Sequence, residues 1–402
     1  LKALVLISDG LADRPVPELK KRTPLEVARK PNLDGLAKSG ICGMMDTIAP
    51  GVPPGSDTAH LALLGYDPYE VYTGRGPFEA AGAGIELRPG DIAFRVNYAT
   101  VDNKLVVKDR RAGRIQDTSE LEADLKKIKL RGVETIFKST VAHRAALVLR
   151  GKGLSHEVTD SDPHEIGVKV RKVEARTKGA SKTAKLLNQF TQEAQRILGK
   201  HPLNQRRVKE GSLPANYLLL RGAGMAPDLE PFQEKFSLKG SCVAAAALVK
   251  GVCRMIGMDV TEVTGATGGL DTDLDAKRKA VLRELKNHDL VILHVKGFDE
   301  AAHDGDFNGK IKLIERLDKT VGQLKNRVDF VALVIDHTTP VTAREHAGDS
   351  VPVVISGPGV RTDDVQSYDE RSAAKGGLGH IRGKDLMPIL ANLMGKLEKF
   401  GA

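Results

Sequence analysis

The sequence predicts an α/β fold: a mainly parallel sheet covered by helices on both faces, with a smaller α+β domain inserted into it. Three features carry that expectation. Short, continuously apolar runs (Lys2–Ile7, Leu290–Val295, Phe330–Ile335) stand beside amphipathic helices, and strands buried on both faces read in this way. The middle of the chain, from about Ile85 to His201, instead shows alternating, charge-rich strands. Finally, carboxylates follow the first strand and the C-terminal strands, so one constellation joins the two ends of the chain across the middle.

Taken in order, Lys2–Ile7 is the first strand, and Asp9 follows it in Ser8-Asp9-Gly10. Asp91–Val101 and Lys104–Lys108 read as strands of the middle region, with helices at Ser119–Leu130 and Ser181–Leu198. Asn216–Leu220 is a short apolar strand ending at Arg221-Gly222-Ala223-Gly224, and it is expected in the parallel sheet. Ala276–Asn287 carries Val281, Leu282 and Leu285 on one helical face and leads into Leu290–Val295. Lys310–Leu324 places Ile314, Leu317, Val321 and Leu324 at spacings of three and four, and leads into Phe330–Ile335. Val351–Ile355 follows before Gly357-Pro358-Gly359 breaks the chain. The expected domains are a discontinuous core at 1–80 and 210–402 and an insertion at 81–209, with glycine hinges near Gly74–Gly84 and Gly211. In parallel sheets ligands bind beyond the carboxyl ends of the strands, where Asp9, Arg221, Asp336 and the segment of Asp299 are expected.

Composition narrows the function classes. The chain has 402 residues, 41% hydrophobic but only 4% aromatic, and a formal charge of +9. The basic residues are spread rather than blocked and few aromatics interleave them, which speaks against nucleic acid and for a small acidic substrate. Cys42, Cys242 and Cys253 form no CxxC pair and read as small apolar residues in a reducing compartment. The chain opens directly on a strand, so no signal peptide is expected. Its longest apolar stretch, Val243–Val249, is too short to span a bilayer, and a cytoplasmic location is expected. Gly265-Ala266-Thr267-Gly268-Gly269 lacks the strand, spacing and helix of a dinucleotide loop.

The chemistry concentrates in Asp9, Ser56, Asp299, His303, Asp336, His337 and His346. Carboxylate oxygens take hard divalent cations, and imidazole shifts the preference toward Mn²⁺ or Zn²⁺. This many donors fill two adjacent coordination spheres, and two metals about 3.5–4 Å apart hold the attacking and leaving oxygens of a phosphoryl displacement. Ser56, in Gly55-Ser56-Asp57-Thr58-Ala59-His60, reads as the nucleophile. His60 reads either as part of the site or as a helix residue with a structural hydrogen bond, and His288 and His294 read as structural. Asp109-Arg110-Arg111-Ala112-Gly113-Arg114 crowds three guanidiniums together, each able to grip a carboxylate or phosphate bidentately.

These residues resemble the archaeal type of cofactor-independent phosphoglycerate mutase. The likeness rests on Ile7-Ser8-Asp9-Gly10-Leu11-Ala12-Asp13-Arg14-Pro15, the Ser56 segment, Lys296-Gly297-Phe298-Asp299-Glu300-Ala301-Ala302-His303-Asp304-Gly305-Asp306 and Asp336-His337-Thr338-Thr339-Pro340. It continues through His346-Ala347-Gly348-Asp349 and Gly379-His380-Ile381-Arg382-Gly383, so it covers essentially the whole chain. Phe298 and Ala302 stand where the family usually has Pro and Gly, a change confined to loop geometry.

The resemblance implies an alkaline phosphatase-like core and interconversion of 3-phosphoglycerate and 2-phosphoglycerate through a phosphoserine at Ser56. It implies two divalent ions, foremost Mn²⁺ with Mg²⁺, Co²⁺ or Zn²⁺ as alternatives, and no 2,3-bisphosphoglycerate. Asp9, Ser56, Asp336 and His337 match one metal site; Asp299, His303 and His346 match the other. The insertion is expected to hold the glycerate end through Arg110, Arg111, Arg114, His143 and Arg144, with Arg75 and Arg221 added from the core domain. Asp109, Asp160 or Asp162 would shuttle the hydroxyl proton. A phosphatase, phosphodiesterase or phosphopentomutase on the same core is the alternative. A homo-oligomer is left open, and no nucleic-acid or membrane partner is expected.

Overall fold

The computed structural model describes residues 1–399 and Gly401. It divides the chain into two compact units, Leu1–Glu70 with Glu230–Ala402, and Val71–Leu229. The first unit opens with β1 (Ala3–Ser8) and β2 (Gly40–Asp46). The second contains β3 (Ile92–Val101), β4 (Val107–Asp109), β5 (Glu134–Ser139), β6 (Arg144–Arg150) and β7 (Tyr217–Met225). The chain then returns to the first unit with β8 (Gly240–Val243), β9 (Asp259–Thr261), β10 (Leu290–Val295), β11 (Phe330–Val334), β12 (Val351–Ser356) and β13 (Gly379–Arg382).

The first unit is built on an eight-stranded sheet in the order β13-β2-β12-β11-β1-β10-β8-β9. It is mainly parallel; only β12 runs antiparallel to its neighbours β2 and β11. Every residue of β1, β10 and β11 is buried. Because successive strand residues point to opposite faces, such strands must be covered on both sides. The helix Phe307–Leu324 covers part of one face, burying Leu313, Ile314, Leu317, Val321 and Leu324 at the expected spacing. Each such leucine or isoleucine contributes roughly 1.5–3 kcal/mol by leaving water. The Asp306 carboxylate caps this helix by accepting the Gly309 N–H.

The second unit is built on a five-stranded sheet in which β3 pairs antiparallel with β4, β6 and β7. Two expectations are corrected here. The strand at Asn216–Leu220 does not join the parallel sheet; as β7 it pairs with β3 from Ile92↔Met225 to Ala99↔Tyr217. The helix Gly76–Gly82 also lies on β3, so closely that a Cβ at Gly76 would sit 2.1 Å from the Ala93 carbonyl oxygen. Residues 71–80 and 210–229 therefore belong with the second sheet, and Arg75 and Arg221 lie in the second unit, not in the core. Gly74 allows close approach to the Ala223 carbonyl, which a Cβ would meet at 2.0 Å. The reason is that an apolar run does not encode its partner: pairing is set by register and by distant chain.

No helix among the described residues is long and apolar enough to cross a membrane.

Candidate active site

The carboxyl ends of β1, β10 and β11 carry the site in the first unit. Asp9 directly follows β1, Lys296 follows β10, and Ile335-Asp336-His337 follow β11. Asp299 and His303 lie one helical turn apart on the helix Gly297–Asp304, a spacing that puts both on one face. Gly10 is required between Asp299 and Thr339: its φ is +68°, and a Cβ there would stand 2.8 Å from both Asp299 Cβ and Thr339 Oγ1. Ala302 and Phe298, the departures from the family pattern, are fully buried in this helix.

The hydrogen bonds fix which atoms face the centre. Asp9 accepts on Oδ2 from His294 Nε2 at 3.0 Å, leaving Oδ1 buried and unpartnered. Asp336 accepts on Oδ1 from the backbone N–H groups of Gly10 and His337, each at 2.9 Å, leaving Oδ2 buried and unpartnered. Thr339 Oγ1 donates to Asp299 Oδ1 at 3.1 Å and so accepts from His337 Nδ1 at 2.9 Å. The lone pair of His337 is thereby on Nε2, 3.5 Å from Asp9 Oδ1 and 3.3 Å from Asp336 Oδ2. Three acceptor atoms without donors converge on one point, an arrangement that water-free burial makes costly and a cation makes favourable.

A second group repeats the logic. His303 Nδ1 donates to the Arg344 carbonyl at 2.6 Å and His346 Nδ1 to the Pro54 carbonyl at 2.8 Å. Each therefore presents Nε2, and both stand 3.3 Å from Asp299 Oδ1. Asp9, Asp336 and His337 form one candidate ligand group, and Asp299, His337 and His346 another. The His337 and His346 rings stack at 3.7 Å, so the two groups adjoin. Imidazoles whose Nδ1–H is held by an oxygen are the usual outer-shell arrangement of metal ligands. The donor set thus fits two hard divalent ions.

Electrostatics agree. Burial pushes Asp336 up strongly, reinforced by Asp9. Burial also pushes Asp9 up, but Lys296, His294 and His337 overcome it and hold it at about 2. Asp299, against the same burial, is held low by His346 and Lys296. Burial lowers His337 to about 4, so it is a neutral ligand at physiological pH. Ser56 is half-buried and begins the helix Ser56–Leu63, and His60 Nδ1 donates to its carbonyl at 2.6 Å. His60 is fully buried, so its hydrogen bond anchors the turn that presents Ser56.

The second unit gathers guanidiniums. Arg110 binds Asp162 bidentately at 3.2 and 2.7 Å, and Arg221 lies 3.9 Å from the same fully buried carboxylate. Arg95, opposite Arg221 in the β3–β7 register, has only Glu79 at 3.8 Å as its ionic partner among the described residues. The Nε atoms of Arg95 and Arg221 are buried without partners. Burial lowers Arg95 to about 10, with Arg221, Arg75 and Arg144 adding to the shift against Glu79. Burial likewise lowers His143 to about 4, aided by Arg144, Arg111, Arg95 and Arg221. Arg75 pairs with Glu79 at 2.8 Å. Asp160 accepts from Gly222 N at 3.0 Å and from His164 Nε2 at 3.0 Å; Asp109 accepts from Arg111 N at 2.6 Å. Arg114 is exposed, and among the described residues no hydrogen bond or ion pair joins its guanidinium to the cluster.

The sequence reading missed Lys296, which binds Asp299, and His294 as the partner of Asp9. It also missed Arg95, which sits in an alternating strand like any solvent-facing residue.

Comparison with known proteins places these features. Residues 37–204 match the family model described as 2,3-bisphosphoglycerate-independent phosphoglycerate mutase. The chain is 50% identical over 409 residues to such a mutase of Methanothermobacter thermautotrophicus, covering all of both chains. It is 51% identical over 413 residues to one of Archaeoglobus fulgidus, again covering both completely. Among solved structures, a protein of Pyrococcus horikoshii superposes with TM-score 0.86 at 44% identity, covering 100% of this chain and 99% of that one. The cofactor-independent phosphoglycerate mutase of Thermoplasma acidophilum does so with TM-score 0.75 at 39% identity, covering 98% and 99%. The fold and site define an α/β protein whose mainly parallel sheet gathers carboxylates and imidazoles, a donor set for divalent ions, beyond its strand ends. The chain belongs to the family of 2,3-bisphosphoglycerate-independent phosphoglycerate mutases.

Proposed function

We propose that this chain interconverts 3-phosphoglycerate and 2-phosphoglycerate through a phosphoserine at Ser56. The convergence of Asp9 Oδ1, Asp336 Oδ2 and His337 Nε2, three buried atoms with lone pairs and no donor, carries the reading. Asp9, Ser56, Asp336 and His337 would hold one divalent ion; Asp299, His303 and His346 would hold the other. Mn²⁺ suits this mixed oxygen and imidazole set best. Bound there, the ions would supply Lewis acidity to the phosphoryl oxygens and lower the pKa of the serine hydroxyl.

The chain's own residues do the rest. Ser56 Oγ attacks phosphorus, the bond from phosphorus to the glycerate oxygen breaks, and that oxygen takes a proton. The other glycerate hydroxyl then attacks the phosphoserine, giving up its proton, and Ser56 leaves. Asp109 or Asp160 suits the proton shuttle better than Asp162, whose carboxylate burial raises but Arg110 holds low. Arg95, Arg110, Arg111, Arg144 and Arg221, with Arg75 and His143, grip the acid's anionic groups so that glycerate stays bound between the steps. A small acidic substrate and a cytoplasmic location go with this reading; 2,3-bisphosphoglycerate is not needed.

The test is acid quench of enzyme with substrate, followed by mapping of phosphate, alongside turnover after chelation and Mn²⁺ return. Phosphate on the Ser56 peptide and Mn²⁺-restored turnover are expected. Full turnover in metal-free protein, or phosphate mapped elsewhere, overturns the reading.

A further inference from the structure

Lys310 lies on the inner face of the helix Phe307–Leu324, and its side chain is fully exposed to protein and not to solvent, at 0% relative accessibility. An amphipathic helix has no need of a lysine on its buried face, and taking an ammonium out of water costs several kcal/mol. Its Nζ donates to Asp13 Oδ2 at 2.8 Å, to the Thr339 carbonyl at 3.0 Å and to the Ala12 carbonyl at 3.4 Å. Asp13 in turn accepts from the backbone N–H of Arg14 at 2.9 Å and of Val341 at 3.2 Å. The Thr339 N–H donates to the Ala12 carbonyl at 3.1 Å.

We propose that the buried Lys310–Asp13 pair is a positioning device for the metal pocket, clamping the loop that carries Asp9 to the loop that carries Asp336 and His337. The inference rests on the two-metal reading above. The clamp meets the ligands through Thr339: its carbonyl is held by Lys310, and its hydroxyl binds both Asp299 and His337. The oxygen that sets the tautomer of one ligand and steadies the other thus has its backbone tied to Lys310. Burial pushes Lys310 down and Asp13 up, each against its partner, so the pair is an expensive way to gain stability alone. Its yield is geometry: two loops from opposite ends of the chain fixed to one ammonium.

The experiment is Mn²⁺ titration of metal-free protein without substrate, followed by the loss of the free Mn²⁺ spin-resonance signal, beside thermal unfolding in chelator. Lys310→Met is expected to weaken Mn²⁺ binding about 10- to 100-fold, the range for outer-shell partners. Lys310→Met/Asp13→Asn removes both charges and so spares the fold the cost of one buried ion left alone. It is expected to weaken Mn²⁺ by the same range while unfolding nearer the parent's temperature. Lys312→Met, on the exposed face of the same helix, is expected to leave affinity unchanged. Parental affinity in a folded Lys310→Met, or in the double variant where the single one does not fold, overturns the clamp. A parent that binds no Mn²⁺ at all overturns the two-metal reading, and the clamp with it.

Discussion

The two units differ in net charge. Val71–Leu229 holds 29 Lys and Arg against 18 Asp and Glu, whereas the rest of the chain holds 32 against 34. The basic excess of the whole protein therefore belongs to one unit, although along the sequence it looks evenly spread. Burial acts on the matching groups in each. In the first unit it drives Asp336, Asp13 and Glu370 up; in the second it drives Arg95, Arg221 and His143 down. Among the described residues, Asp9 Oδ1 and Asp336 Oδ2 in the first unit are left without a donor, and in the second the Nε atoms of Arg95 and Arg221 are left without an acceptor. On the reading proposed above, the unpartnered atoms of the first unit would take divalent metal and those of the second an acid with a phosphate.

The sharpest way to break this division is at Ser56. Ser56→Ala is expected to lower mutase turnover by a factor on the order of 10³ or more, as loss of a nucleophile does. Mn²⁺ affinity should change far less, because Asp9, Asp336 and His337 remain. A coupled assay beside a Mn²⁺ titration checks both, and a variant with near-parental turnover would remove the serine from the mechanism.

A smaller effect separates grip from chemistry in the second unit. Arg111→Ala is expected to cost about ten- to a hundred-fold in mutase flux, since a charge-assisted hydrogen bond contributes roughly 1.5–3 kcal/mol. Phosphoserine would still form, so the ratio of inorganic phosphate released to 2-phosphoglycerate made should rise. Arg114→Ala, exposed and unbonded to the cluster, should stay within about twofold of the parent. Equal ratios in all three proteins would return this loop to ordinary solvated surface.

The contrast between the units also explains what the sequence could show. Asp9, Asp299 and Asp336 were legible because each closes or follows an apolar strand, and a parallel sheet collects such ends at one edge. The partition of β7 was not legible: Tyr217–Leu220 is as apolar as a core strand, and only its register with β3 decides its sheet. Arg95 and Lys310 escaped for a related reason. Arg95 alternates like a solvent-facing strand residue and Lys310 is the lone lysine on the apolar stripe of its helix, and only the long-range neighbours (Arg221 for one, Asp13 for the other) show what each charge meets.

Salt should probe the long-range part of the comparison. A unit with so large a basic excess raises the local concentration of an anionic substrate, and that attraction is screened over about 10 Å at 0.1 M ionic strength. The rate constant kcat/KM is expected to fall about two- to tenfold between roughly 0.03 and 0.3 M KCl, with kcat changed less. A salt-independent kcat/KM would mean that the grip is wholly local.

The mildest expected effect lies in the first unit, away from the ligands. Glu370 accepts from the Asp13 N–H at 3.0 Å and from the Thr23 hydroxyl at 2.7 Å, beneath the loop that holds Asp9. Burial raises its carboxyl to about 7 despite those bonds. A carboxyl raised on folding binds its proton more tightly in the folded state than in the unfolded one. Its contribution to stability is therefore full below the unfolded value and is lost as pH rises through about 7. Glu370→Gln keeps the amide oxygen as acceptor for the Asp13 N–H, places an amide N–H where the Thr23 hydroxyl can turn to accept it, and removes the titration. Relative to the parent, the variant should gain about 1–2 kcal/mol between pH 5 and pH 8. Thermal unfolding of both proteins across that window, in chelator, measures the difference directly. A gap that stays constant with pH would mean that Glu370 is ionised in the folded protein, and that the first unit neutralises this acid after all.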